Sequence, residues 1–403
     1  MGSLSPASNR RPLHEVMPPL VLGTATFNSQ YVSDPLNPDV LPALSIVSRT
    51  LELGINAFDT SPYYGPSETI LGDALAHPSN ASKYSRESYF LVTKAGRVAG
   101  DEFDYSAAWV RYSVCRSLER LHTPYLDLVY MHDVEFVSSD EVLEAVQELR
   151  RLRDAGIIRY VGISGYPVGV LCDLAEMILE KTGEPLDAVL SYSHFTIQNT
   201  TLGTSAVQRF TKAGVDVVLN ASMLGMGLLT TRGADNGPMK AWHPSPSGLR
   251  DSIKDLVSVA TEADEKLEVV AIRWALDNWA RDGASRGGTS PWLPAGTRVG
   301  VSVMGVANVP ELEETWRVFC SVIEGYNPKP SSAEMAEAHA WSLERRQKIQ
   351  SLVEKMWAVL GEWKDYSWSS PGPGFVNTRR KEDRGVYPKS DGIYDKYIQK
   401  LEL

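Results

Sequence analysis

Residues 126–164 read LDLVYMHDVEFVSSDEVLEAVQELRRLRDAGIIRYVGIS and hold the repeating unit of the fold. A short apolar run at 127–131 leads into a helical stretch at 140–155 and then a second apolar run at 160–163. Within the helix Val142, Leu143, Val146, Leu149 and Leu152 recur at three- and four-residue spacing and make one stripe, with Arg150, Arg151 and Arg153 off it. Gly156 stands where a C-cap glycine ends a helix. The two apolar runs do not alternate with polar residues, which suits parallel strands buried on both faces.

Outward from this unit the same alternation continues. β-rich apolar runs occur at residues 19–22, 56–58, 89–92, 188–191, 215–219 and 299–304, with helical stretches between them, that at 107–121 being clear. Eight strand candidates alternating with helices predict an α/β chain folded as a (β/α)8 TIM barrel. A doubly wound open sheet is the alternative, but the first run is followed by Gly23-Thr24-Ala25-Thr26 and not by the G-x-G-x-x-G of a dinucleotide fold. The barrel pattern runs from residue 19 to 326. A flexible leader is expected over 1–18, and a C-terminal extension over 327–403, helical at 332–360 and then partly disordered. Trp363, Tyr366, Trp368, Tyr387, Tyr394 and Tyr397 are its candidates for packing on the barrel. Insertions at 28–42 and 230–248 follow strands and belong on the C-terminal face, where loops shape a pocket; the Gly-rich stretch 281–297 follows a helix and belongs on the opposite face.

Of 403 residues 43% are hydrophobic and 22% charged, an ordinary globular balance, and the net charge of -10 speaks against nucleic acid or an anionic membrane as the main partner. No apolar run reaches a membrane span, and the first residues lack a secretory signal and carry Pro6 where myristoylation wants Ser or Thr. Cys115, Cys172 and Cys320 are scattered, without zinc spacing, and read as small buried thiols. A cytoplasmic protein without metal, a monomer or weak homo-oligomer, is expected.

Four polar residues fall at or just past three successive strand ends: Asp59, Tyr64, Lys94 and His132. In a barrel these ends open on one face, so the four converge. A phenol, with an ordinary pKa of about 10, needs a neighbouring cation to act as a base, and Lys94 is expected to lower it. Asp59 would pair the buried Lys94. His132 would bond and orient the reacting oxygen. Such a set suits proton transfer at a carbonyl or alcohol oxygen while a cofactor takes or gives the hydride.

At these residues the chain resembles the aldo-keto reductase family, through LGTATF (22–27), GINAFDTSPYYGPSETILGDAL (54–75), LVTKAG (91–96), DLVYMHD (127–133) and RYVGIS (159–164). The resemblance implies a catalytic tetrad of Tyr64, Asp59, Lys94 and His132. LSYSHFTIQNTTL (190–202), LNASMLGMGLLT (219–230) and AWHPSPSGLRD (241–251) resemble the branch of L-galactose and D-arabinose 1-dehydrogenases, which oxidise an aldose at C1 to its lactone. It implies cofactor contacts at Gly23, Thr24, Ser164, Ser191, Ser222, Leu224, Gly305, Asn308, Glu314 and Thr315, and substrate contacts at His132, His194, Trp242 and His243. Gly165 replaces the Asn that many members use on the carboxamide, and Ala221 the Tyr they stack on the nicotinamide. Residues 299–316 contain no Lys or Arg but hold Glu311, Glu313 and Glu314, which would repel a 2′-phosphate. NAD is therefore expected over NADP, with Arg298 or Arg317 bending back as the competing possibility, and the helix from Pro310 able to aim its N-terminus at the phosphates. Tyr64 would then act as base in sugar oxidation. An NADP-dependent carbonyl reductase, a Schiff-base enzyme using Lys94 and a non-catalytic cofactor-binding subunit are the alternatives.

Overall fold

The computed structural model describes residues 10–327 and 330–401. Eight parallel strands close a barrel: β1 (Leu20–Gly23), β2 (Ala57–Asp59), β3 (Phe90–Ala95), β4 (Leu126–His132), β5 (Ile158–Gly165), β6 (Ala188–Tyr192), β7 (Val217–Ala221) and β8 (Val301–Gly305). β8 pairs with β1 in register Gly23↔Gly305 and completes the ring. The strands carry apolar side chains on both faces. Val21, Val92, Leu128, Leu190, Leu219 and Val301 fill the barrel, while Leu22, Phe58, Leu91, Val129, Ile163 and Val189 pack under the helices. Burial on both sides explains why these strands read as unbroken apolar runs.

The helices that matter here are α1 (Ala43–Glu52), α2 (Ser67–Ala76), α3 (Ala107–Arg120), α4 (Ser139–Asp154), α5 (Val168–Thr182), α6 (Val207–Lys212), α7 (Ser247–Glu262), α8 (Leu267–Asp282), α9 (Val309–Tyr326) and α10 (Ala333–Leu360). α4 begins with a capping box between Ser138 and Glu141 and is followed by Gly156 at φ +77°. Its expected stripe is buried except for Leu143, which is half-buried. Arg150, placed off that stripe by the sequence, is buried too, because its guanidinium bonds Thr182 and the Glu184 carbonyl at the end of α5.

Residues 10–17, expected in a flexible leader, are packed against the barrel. Residues 1–9 lie outside the described residues, but from Arg10 on the chain closes the floor of the barrel. Arg10 forks onto Asp187, and Leu13 and Met17 are buried against the interior cluster. The stretch 281–297 also lies at this floor, as expected: it leads into a small antiparallel ribbon of Gly288–Thr289 with Arg298–Val299, and Gly288 abuts the Met17 carbonyl.

The extension departs further from its expectation of partial disorder. α10 is one helix of 28 residues, tied down by Arg345 to Glu265, Arg346 to Asp277 and the Trp274 indole N–H to Gln350. Beyond it the chain crosses the C-terminal face and continues over α3. Trp368 stacks on Tyr166, Phe375 meets Phe103 and Phe136, and Tyr387 stacks on Tyr112. Ile393 and Ile398 close a separate apolar cluster with Tyr112 and Cys115. These partners lie far away in sequence, so no local pattern announced them. The three cysteines are free, and Cys115 and Cys172 are buried as expected, while Cys320 is half-buried. No described helix is long and apolar enough to cross a membrane.

Candidate active site

The C-terminal rim of the barrel gathers the four residues that the sequence singled out. Asp59 ends β2, Lys94 lies in β3, His132 ends β4, and Tyr64 stands in the loop after β2. Lys94 Nζ donates to Asp59 Oδ1 at 2.6 Å and to the Thr60 carbonyl at 2.9 Å, and lies 4.8 Å from the centre of the Tyr64 ring. The Tyr64 ring meets the His132 ring edge-on at 5.7 Å. All four side chains therefore meet in one pocket, Asp59, Lys94 and His132 buried and Tyr64 half-buried.

The electrostatics differ from the expectation in one respect. On balance the Tyr64 phenol is raised and not lowered. Burial and the Asp59 and Asp133 carboxylates push it well above its ordinary value, and the charge of Lys94 is matched by Asp59 beside it. Asp59 is itself raised, because burial outweighs the attraction of Lys94. Tyr64 is thus a phenol in this pocket and holds its proton.

His132 is neutral here. Burial drives its pKa down to about 3, ahead of the opposing pull of Asp133. Ser61 Oγ accepts from the Tyr63 amide N–H at 3.1 Å and lies 3.1 Å from His132 Nδ1, where its hydroxyl can donate. The Asp133 carboxylate, 3.6 Å from Nε2, favours the tautomer with the ring proton on Nε2 and Nδ1 accepting. His194 is likewise lowered, to about 4, by burial. Neither histidine affects stability above its unfolded pKa of about 6.5. Below it the unfolded chain takes up protons that the native chain refuses, so stability falls with pH. Each should contribute about 1.4 kcal/mol per pH unit until its native pKa is reached. Urea midpoints at pH 7, 6 and 5 should drop more steeply for this protein than for a His194→Gln variant; equal slopes would contradict the assignment.

The other expected substrate residues fall into place differently. His194 donates from Nδ1 to the Tyr192 carbonyl, accepts at Nε2 from the Ser367 hydroxyl, and lies buried against Tyr166. His243 is buried with Nδ1 on Ser245 and Nε2 on the Gly225 carbonyl. Both ring nitrogens of each are engaged by the protein. Trp242 donates its indole N–H to the Gln30 carbonyl at 3.1 Å and meets Tyr31 edge-on. The insertions after β1 and β7 thus join over the mouth.

The expected cofactor residues line the other half of the rim. Gly23 and Gly305 face each other across the β1–β8 seam, and a Cβ on either would crowd a neighbour, Val303 Cγ1 at 2.9 Å and Thr26 Cγ2 at 3.2 Å. Ser164 closes β5 opposite His132 and donates to the Met131 carbonyl, and Ser191 lies opposite Gly165 with a buried hydroxyl that has no partner among the described residues. Ser222, just past β7, is held at φ +56°, in a tight turn whose half-buried Leu224 precedes Gly225. Thr24 is committed elsewhere, donating to the Asp59 carbonyl and accepting from Ser67. On α9, Glu314 is exposed and Thr315 is buried. The N-terminus of α9 is already occupied: Asn308 caps Glu311 N–H, and the Glu311 carboxylate accepts from Ala307 N–H and Asn308 Nδ2, both at 2.8 Å. That carboxylate sits where the helix was expected to meet a phosphate.

Residues overlooked in the sequence complete the rim. Arg97 forms an ion pair with Asp133, whose Oδ2 lies 3.6 Å from His132 Nε2. Glu135 accepts from the Ser370 hydroxyl and the Tyr166 N–H, and burial, with Asp133 nearby, raises its pKa to about 8. Its Oε2 lies 2.5 Å from where a Cβ at residue 165 would stand, which is the physical reason that position carries Gly and not Asn. Asp133 follows His132 directly, so proximity alone was a usable signal for it.

Comparison with known proteins agrees with this geometry. The model of the Aldo/keto reductase family matches residues 19–325. D-arabinose 1-dehydrogenase of Saccharomyces cerevisiae is 42% identical over 267 residues, covering 66% of this chain and 77% of the yeast protein. L-galactose dehydrogenase of Arabidopsis thaliana is 36% identical over 239 residues, covering 59% of this chain and 70% of its own length. A solved aldo-keto reductase from Bacillus halodurans shares the fold, with a TM-score of 0.53 at 22% identity over 83% of this chain and 91% of that one. With its closed eight-stranded barrel and a family match spanning that barrel, the chain belongs to the aldo/keto reductase family and is an oxidoreductase.

Proposed function

We propose that this enzyme oxidises an aldose at C1 to the lactone with NAD. The observation that carries the proposal is the buried cluster of Tyr64, His132 and the Asp59–Lys94 pair at the mouth of the barrel; the two sugar dehydrogenases among its relatives support the substrate class. The paired glycines Gly23 and Gly305 and the Ser191 hydroxyl, without a partner among the described residues, fit a flat nicotinamide with a hydrogen-bonding carboxamide. When bound, the nicotinamide accepts the hydride, which no side chain here can do.

The residues supply the rest. His132 Nε2–H donates to the oxygen on C1 and fixes its direction. Tyr64 exchanges the proton of that oxygen. Since its phenol is held protonated, oxidation should speed up as the pH rises into the alkaline range, and the reverse reduction should not. Lys94 stabilises the phenolate as it forms, and Asp59 pairs with Lys94 in its buried site. Initial rates with D-arabinose, L-galactose and L-fucose against NAD and NADP test the reading; no turnover of any aldose would sink it.

Nucleotide choice rests on Glu311. Arg298 cannot bend back, because it bonds the Gly287 and Asp216 carbonyls at the barrel floor. Arg317 bonds Glu313 on the outside of α9. A 2′-phosphate would meet the Glu311 carboxylate without a cation to offset it. Glu311→Gln should therefore shift the NAD:NADP ratio of kcat/KM toward NADP by about tenfold or more, the worth of one charge-assisted contact. A ratio that stays put would place the phosphate elsewhere.

A further inference from the structure

Arg97 and Asp133 stand beside the reacting pocket without a part in the proton transfer proposed above. Their burial is unusual for a rim pair. The Asp133 side chain is 3% exposed and that of Arg97 15%. The guanidinium lies 3.8 Å over the Tyr63 ring, and Tyr63 in turn meets the His132 ring at 5.8 Å. Asp133 is the first residue past β4 and is held at φ +57°, a conformation that a non-glycine residue adopts at a cost. The strain turns its carboxylate to the His132 side of the mouth, with Oδ2 3.6 Å from Nε2.

We propose that this pair reads the hydroxyl group adjacent to the reacting carbon, so that the substrate class is the 2-hydroxylated aldoses. The proposal rests on the aldose dehydrogenase reading of the site. If His132 Nε2–H holds the oxygen on C1, the vicinal oxygen on C2 falls on the neighbouring polar group, and that group is Asp133. The named contacts of Asp133 fall on Oδ2, and its Oδ1 is the oxygen assigned to accept the C2 hydroxyl proton. Arg97 has five N–H groups. Three named acceptors, the Asp133 carboxylate and the carbonyls of Ala99 and Gly100, leave N–H groups to donate to the same hydroxyl oxygen. A carboxylate and a guanidinium side by side suit a hydroxyl that must both donate and accept. An apolar aldehyde would leave this buried pair unanswered, which is the condition under which a polar site rejects a substrate lacking the group it bonds.

The test compares kcat/KM for D-arabinose with that for 2-deoxy-D-ribose, which is the same sugar without its C2 oxygen. The wild-type enzyme should favour D-arabinose by at least about a hundredfold, the scale at which a lost hydroxyl contact discriminates. In Asp133→Asn and in Arg97→Lys the ratio should fall at least tenfold, with the loss on the hydroxylated sugar. A purely structural role would lower both sugars together and keep the ratio. A wild-type ratio near one, or an unchanged ratio in a folded variant, overturns the inference while sugar oxidation stands. Turnover of neither sugar overturns the dehydrogenase reading and this inference with it.

Discussion

Tyr64→Phe should lower the turnover of an aldose by about 10²–10⁴-fold, the range that a positioned acid–base group contributes. The substitution removes one hydroxyl and keeps the ring. Its edge contact with His132 at 5.7 Å and the approach of Lys94 at 4.8 Å would persist, so the pocket should keep its shape. Nucleotide affinity, read by fluorescence titration, should change by no more than a few-fold. The pH profile adds a sharper signature. In the native enzyme the raised phenol should make oxidation faster toward alkaline pH; in the Phe variant the residual rate should lose that slope. Undiminished turnover would remove Tyr64 from the mechanism.

Asp59→Ala should cost about 3–5 kcal/mol of stability, the penalty for leaving a buried charge without its partner. Lys94 is 2% exposed, and without Asp59 only the Thr60 carbonyl would remain as its acceptor. Chemical denaturation, with the m-value unchanged, is the direct measure. A double variant, Asp59→Leu with Lys94→Met, should recover most of the loss, since an apolar pair of similar volume often replaces a buried ion pair without harm. Both variants should be inactive. A loss below about 1 kcal/mol for Asp59→Ala would mean that water reaches the pair, as it does at surface ion pairs.

What could be read from the chain in advance was whatever repeats or sits next to its partner. The barrel was visible because each strand–helix unit restates the same pattern, and the tetrad because three strand ends share one face. Pairings between distant segments left no local trace. Arg150 looked like a solvated arginine until its acceptors on α5 closed over it. His194 and His243 looked available until Ser367 and the Gly225 carbonyl claimed them. The pKa of Tyr64 was misjudged for a related reason: the pairing of Lys94 with Asp59 was visible, but the depth of burial of the phenol and the carboxylate of Asp133 near it were not.

The segment that follows α10 has one more consequence. It touches the loops after four successive strands: Ser370 bonds Glu135 after β4, Trp368 stacks on Tyr166 after β5 and lies near His243 after β7, and Ser367 bonds His194 after β6. Loops of this kind ordinarily lose conformational freedom when a ligand arrives, and each ordered side chain then subtracts from affinity. Here that entropy is surrendered during folding, before any sugar is present. The wall of the mouth is set in advance, and weak, hydroxyl-by-hydroxyl contacts with a small hydrophilic molecule need not also organise the loops that make them.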